Sequence, residues 1–207
     1  MVPDILGAMS QYPSELLTLI AYLKKLPGVG SKTAERFAFT FLEWSTEDLT
    51  AFSEKLATLK EKVYPCSTCG CLKDSETCPF CDPIKRDHST LCIVSSPRDV
   101  YAIEETRAFK GIYQVIGGLF SPLEGKSVGQ EALQRLMKRL DRQTVKEVII
   151  ALDSTLEGDA TSLYLKKQLD AKGVPATRLA FGLPMGSSLD FVDYGTLEKA
   201  LTGRQQF

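Results

Sequence analysis

Residues 66–81 read CSTCGCLKDSETCPFC. Two C-x2-C pairs, Cys66/Cys69 and Cys78/Cys81, are separated by eight residues. Each pair can turn two sulfurs onto one ion. Four thiolates complete the closed tetrahedral set of a structural Zn²⁺ site and leave no position open for a substrate. Gly70 suits the turn after the first pair, and Pro79 suits the second. A pair of disulfides or an iron–sulfur site are the competing readings of this spacing. Cys71 could compete as a ligand, but the other four already form a symmetric set, which makes Cys71 a spare thiol. His88, the only histidine, could replace a ligand; otherwise it is a linker residue in DPIKRDHST. The expectation is one structural zinc per chain, in a module over 64–88 that joins two different kinds of segment.

Composition narrows the classes. The chain has 207 residues, 43% hydrophobic and 25% charged, which suits a globular protein of one large or two small domains. There is no run of 18 apolar residues, so no membrane span is expected. Met1 to Gln11 has neither a basic stretch nor a clean apolar one, so no secretion signal is expected. Clustered cysteines with metal spacing then point to a reducing cytoplasm. A formal net charge of −1 means that any nucleic-acid surface must concentrate its cations locally.

N-terminal to the cysteines the pattern is helical. SELLTLIAYLKK, residues 14–25, places Leu16, Leu17, Ile20 and Leu23 at helical spacing, with Ser14 as a cap. Leu26-Pro27-Gly28-Val29-Gly30 follows, then SKTAERFAFTFLEW with Ser31 as N-cap and Ala34, Phe37, Ala38 and Phe41 as a stripe. Helix, L-P-G-V-G turn, helix resembles the helix-hairpin-helix motif, which binds DNA without sequence preference. Gly28 and Gly30 let backbone N–H groups approach a phosphate at the start of the second helix. Lys24, Lys25, Lys32 and Arg36 against Glu35 give a local surplus of +3. The bland alternative is an αα-hairpin with solvated lysines. A single hairpin makes few phosphate contacts, so useful affinity requires several copies and hence an oligomer. A third helix, 46–63, carries Leu49, Phe52, Leu56, Leu59 and Val63 on a packing stripe. Together these define a DNA-binding domain over 1–63.

C-terminal to the cysteines the period changes. Leu91–Val94 reads as a buried strand with Cys92 as a small core residue. Ser96 caps a helix that begins at Pro97 and runs to about Phe109. Strands at 113–116, 147–152 and 176–180 alternate with helices at 129–141 and 161–172, which indicates a parallel sheet covered on both faces. The loop GGLFSPLEGKS follows the second strand. The third strand ends in Asp153-Ser154-Thr155-Leu156-Glu157-Gly158-Asp159, at the edge where open α/β sheets build their sites. This stretch resembles the Toprim motif, in which a Glu after the first strand and a D-x-D after the third hold Mg²⁺. Here Ser95 and Thr155 stand at two of those acidic places. Glu157 and Asp159 remain, as a partner-binding surface or as a solvated acidic loop. After the sheet, 181–207 forms a loop and a short helix near Leu197–Leu201. Its Leu183, Met185, Leu189 and Phe191 read as self-association surface or as internal packing.

Taken in order, LPGVGSKTAERFAF, CSTCG…CPFC, SPRDVYAIE, LDSTLEGDAT and TRLAFGLPMGSSLDFVD resemble the RecR family of bacterial recombination mediators over nearly the whole chain. The resemblance implies an α/β protein with an N-terminal α-helical domain: helix-hairpin-helix (1–63), four-cysteine zinc module (64–88), Toprim-like parallel sheet (89–180) and a C-terminal oligomerisation segment (181–207). It implies a cytoplasmic, nucleoid-associated DNA-repair protein that is not an enzyme. Such a protein forms a ring-like homotetramer on DNA and, with RecO and with RecF where present, loads RecA at single-strand gaps. On this view Lys24, Lys25, Gly28, Gly30, Lys32 and Arg36 meet DNA, Glu157 and Asp159 meet RecO, and Cys66, Cys69, Cys78 and Cys81 hold zinc. The competing class is a Toprim-type metal-dependent phosphotransferase or nuclease that uses Asp153, Glu157 and Asp159. Ser95 and Thr155 oppose it, since both stand where that chemistry wants carboxylates.

Overall fold

A computed structural model of the chain describes residues 12–120 and 129–204. The chain divides into two units, Met1–Lys62 and Val63–Phe207. The first holds helices α1 (Ser14–Leu23), α2 (Ser31–Glu43) and α3 (Thr46–Lys62). Leu16 and Ile20 of α1 meet Ala34 and Ala38 of α2, with Leu19, Leu23 and Val29 packed around them. Small alanines on α2 let the two helices approach closely, and Val29 sits between them as its place in the turn requires. Phe41, Trp44 and Phe52 join α3 to α2 through ring contacts with centroids 4.9–5.6 Å apart.

Several sequence expectations change here. Neither Ser14 nor Ser31 is a cap: α1 follows Pro13 and α2 follows Gly30, and neither has a side-chain cap. The stripe of α3 packs only in part, through Phe52 against Phe41 and Trp44. No residue of α3 is buried, and Phe52, Leu56 and Leu59 are exposed.

In the second unit, β1 (Tyr64–Pro65) and β2 (Leu72–Lys73) pair antiparallel around the first cysteine pair. Then follow β3 (Asp87–Val94), α4 (Pro97–Glu105), β4 (Gly111–Val115), α5 (Gln130–Arg142), β5 (Glu147–Ala151), α6 (Leu156–Asp170), β6 (Ala176–Arg178), a 3₁₀ turn at Leu189–Phe191 and α7 (Tyr194–Thr202). The sheet order is β4-β3-β5-β6, with every pairing parallel.

Alternation along the strands sorts the core into two faces. Leu91, Ile93, Ile112, Val148 and Ile150 pack under α5 and α6 with Ala132, Leu136, Leu165 and Leu169. On the other face Cys92, Val94, Tyr113 and Val115 pack with Val100 of α4 and with Cys66, Cys69, Cys78 and Phe80. Each large side chain fully buried in these layers contributes roughly 1.5–3 kcal/mol. The α/β class with an N-terminal helical part is therefore as expected.

His88 lies within β3 rather than in a linker, because β3 begins at Asp87. Helix α4 ends at Glu105, four residues early, and Arg107 then adopts a φ of 57°. Helix α6 starts at Leu156, not 161, because Thr155 Oγ1 accepts the Gly158 N–H at 3.1 Å and caps it. Glu157 and Asp159 thus occupy a first helical turn rather than a loop. Most of the loop GGLFSPLEGKS lies outside the described residues.

Candidate functional site

The four cysteines converge. The sulfurs of Cys66, Cys69, Cys78 and Cys81 all lie within 4.8 Å of one another, and Cys69 Sγ stands 3.7 Å from Cys78 Sγ. A tetrahedron with ~2.3 Å Zn–S bonds has S···S edges of ~3.8 Å, so the set fits such an ion and is too open for disulfides. All six cysteines are free thiols. Local backbone geometry explains the convergence. Gly70 N donates to Cys66 O at 2.8 Å, Cys66 N to Cys71 O at 2.7 Å, and Cys81 N to Cys78 O at 3.0 Å. Gly70 turns the first knuckle at φ 79°, where a side chain is strained.

Four crowded thiols resist ionising together. Burial opposes ionisation of Cys66, yet the N–H groups of Cys69 and Thr68 bring its pKa down to about 7. Burial pushes Cys78 up to about 11. Cys69 is held up by its hydrogen bond with Cys71, and Cys81 by its hydrogen bond with Cys69. A divalent cation is what lets all four act as thiolates. Cys71 is buried beside Cys69 but outside the converging four, and His88 contacts Gln143 instead.

The cluster is built into the sheet domain rather than strung between domains. Cys69 O accepts the N–H of Val115, the last residue of edge strand β4, at 2.7 Å. Arg86 binds Glu104 of α4 through both terminal guanidinium nitrogens, at 2.8 and 2.5 Å, and lies over the rings of Phe80 and Tyr113. Tyr113 Oη donates to the same carboxylate at 2.6 Å. These hydrogen bonds, the Arg86 bond first, hold the Glu104 carboxyl below its ordinary range. Sequence reading missed Glu104 and Arg86, whose partners are 18 residues apart with no periodic signal.

At the hairpin turn, Lys25, Gly28, Gly30, Lys32 and Arg36 are exposed and Lys24 is half-buried. None of the four cations is in an ion pair among the described residues. Lys25 lies over the Tyr22 ring at 4.4 Å. Glu35, the one local acid, accepts from Tyr12 Oη. Gly28 needs its freedom, with φ 79°. Gly30 does not: its φ is −81°, and an added Cβ would meet nothing within 4 Å. The first N–H groups of α2 have no side-chain cap.

At the sheet's carboxyl edge the acids do not converge. The cysteine cluster is the only group of metal-ligating side chains found together among the described residues. Ser95 Oγ donates to Asp99 at 2.8 Å, and Asp99 also accepts the Ser96 N–H, capping α4. Asp153 is exposed. Asp159 pairs with Arg178 at 2.5 Å and has Lys199 at 3.8 Å, and the Arg178 bond lowers its pKa. Glu157 is left as the freer acid. Gly158 is sterically required, because a Cβ there would stand 1.9 Å from the Asp153 carbonyl oxygen. The glycine in L-E-G-D was the available signal for that close crossing of α6 over the end of β5.

Three family models match successive parts of the chain. Residues 16–60 match the family model described as RecR, helix-hairpin-helix; residues 89–180 match the Toprim domain; residues 182–205 match RecR, C-terminal. The recombination protein RecR of Protochlamydia amoebophila is 53% identical over 197 residues, 95% of this chain and 100% of that protein. RecR of Chlamydia trachomatis is 47% identical over 201 residues, 96% of this chain and 100% of that protein. RecR of Chlamydia pneumoniae is 44% identical over the same length.

Proposed function

The chain belongs to the RecR family of recombination proteins, and on that premise we propose that it is a non-enzymatic, DNA-binding mediator of recombinational repair. The observation that carries this reading is the hairpin turn: a start of α2 without a side-chain cap, a glycine at position 30 that neither its φ nor steric space requires, and four cations around it. Uncapped N–H groups at a helix start, within a positive surround, bind phosphate whatever the base sequence. Lys24, Lys25, Gly28, Gly30, Lys32 and Arg36 form the DNA surface. The four functional segments are 1–63, 64–88, 89–180 and 181–207.

The cysteine cluster holds one Zn²⁺ per chain, and its role is structural. When bound, the ion fixes the knuckles and supplies no reaction step, since four sulfurs fill its coordination sphere. The Toprim-like edge is a partner surface: Glu157 and Asp159 meet RecO, with RecF joining where it is present, and the assembly loads RecA at single-strand gaps in the cytoplasm, at the nucleoid. Two separate apolar surfaces support a homotetramer. The α3 stripe and the exposed Met185, Leu189, Phe191 and Tyr194 lie in different units of the chain. Two distinct self-complementary patches are what a closed dimer of dimers needs.

The test is a salt titration of DNA binding. Lys24→Ala/Lys25→Ala should flatten the slope of log K against log salt by between one and two. An unchanged slope would remove the hairpin from the DNA surface. In parallel, DNA incubated with the wild type and Mg²⁺ or Mn²⁺ should stay intact; cleavage abolished by Asp153→Ala would replace this reading with a nuclease.

A further inference from the structure

Arg139 is a cation sealed inside the second unit. It is 4% exposed and, among the described residues, forms no ion pair with a carboxylate. Its Nη1 donates to the Tyr113 carbonyl at 2.6 Å, its Nε to Gln143 Oε1 at 3.1 Å, and its Nη2 to Cys81 Sγ at 3.8 Å. A buried guanidinium without a counter-charge is strongly unfavourable. Of the groups it touches, only the cysteine sulfur can carry negative charge. A Zn²⁺ held by four thiolates bears a net charge of −2, itself costly to bury.

We propose that Arg139 is the charge-compensating and positioning residue of the metal centre, reaching it from α5. The inference rests on the reading of the four cysteines as a zinc site. Arg139 cancels half of the excess charge and draws electron density from the Cys81 sulfur through its N–H. Its own orientation is fixed from behind. Gln143 Oε1 is taken by Arg139 Nε, so the Gln143 amide nitrogen must face His88 Nδ1, 3.2 Å away. His88 Nδ1 is then the acceptor, and the ring proton sits on Nε2. The donation runs one way along this side chain, from Gln143 to His88, while the guanidinium plane is pinned between an amide, a carbonyl and a thiolate. Such outer-shell donors orient metal ligands and tune them.

The experiment uses the full chain, loaded with zinc or with Co²⁺, and the variants Arg139→Met, Arg139→Lys and Gln143→Leu. Zinc transfer to a chelator and the cobalt–thiolate charge-transfer band are read for each. Arg139→Met should yield its zinc on the order of 10- to 100-fold more readily and shift the cobalt band to lower energy, because one sulfur loses its N–H donor. Arg139→Lys, which keeps the charge but not the planar fork, should fall between it and wild type. Faster release with an unmoved band would mean that Arg139 acts by packing alone, and would overturn the proposal. Wild-type release from Arg139→Met would do the same. If Arg139→Met does not fold, Gln143→Leu decides: it must release zinc faster and shift the band, and wild-type behaviour overturns the proposal. A wild-type chain that takes up neither zinc nor cobalt sinks the zinc reading as well, and so is told apart from failure of Arg139 alone.

Discussion

Gly30 separates function from folding at a single residue. Its φ of −81° suits any amino acid, and its Cβ would have open space. Gly30 is the N-cap of α2, where alanine is a poorer cap, so Gly30→Ala should cost at most about 1 kcal/mol and a few degrees of Tm, while weakening DNA binding several-fold by holding phosphate away from the α2 N–H groups. A loss of stability without a loss of binding would refute this. Glu104 behaves in the opposite way. Its pKa is lowered in the native state, chiefly by Arg86, so its contribution is complete above the ordinary Glu value of about 4.3 and drains away as pH falls through the depressed native value. Glu104→Gln should cost about 2 kcal/mol at neutral pH. Its Tm deficit should then hold down to about 4.3 and shrink as pH falls further below that value. A deficit constant over that range would mean that packing of Phe80 and Tyr113, not charge, is what the variant disturbs. The cysteine cluster could be read from spacing alone, because cysteine pairs in tight turns are local. Arg139 could be read only in part: it falls in helical phase with Ala132 and Leu136, a charged residue on a buried face.

At the scale of elements, the cysteine knuckles and the sheet are one structure. Cys66, Cys69, Cys78 and Phe80 share a core with Val94, Val100, Tyr113 and Val115, and the edge of β4 is hydrogen-bonded to the first knuckle. Cys66→Ser, or removal of the metal, should therefore lower the melting temperature of the sheet unit and not merely loosen a short loop. Thermal unfolding followed by circular dichroism, with chelator and without, checks this; an unchanged Tm would make the knot an accessory. The sequence pattern places the start of α6 at 161, whereas the helix begins at Leu156. Its apolar periodicity is weak there, and its cap is a threonine whose hydroxyl accepts Gly158 N–H, a bond invisible to hydrophobic pattern.

At the scale of the whole molecule, both units expose apolar surface among the described residues. Leu56 on α3 is 58% exposed and Phe191 is 86% exposed. If each belongs to a different self-association face, Leu56→Glu and Phe191→Glu should each reduce a tetramer to dimers, and the double variant should be monomeric, as read by sedimentation. A single variant that stays tetrameric would show that its patch is not an interface. The helical stripe of α3 was legible as apolar, but periodicity cannot say whether its cover is the same chain or another copy. Only the unfilled face in the fold poses that question.

By itself the sequence determined the order of parts: a glycine-turned helical hairpin, two cysteine pairs, and strands alternating with helices. Each rests on interactions within a few residues, where spacing and periodicity carry the physics. Tertiary structure alone decided three things. The cysteine cluster became part of the sheet's core, because long-range contacts at Val115, Glu104 and Arg139 dock it there. The Toprim-like acids stayed apart, because Arg178 engages Asp159 while Asp153 stands exposed. The Leu56 and Leu59 part of the α3 stripe stayed exposed, because only Phe52 of that stripe meets α2 and the chain's own buried helical cluster lies between α1 and α2.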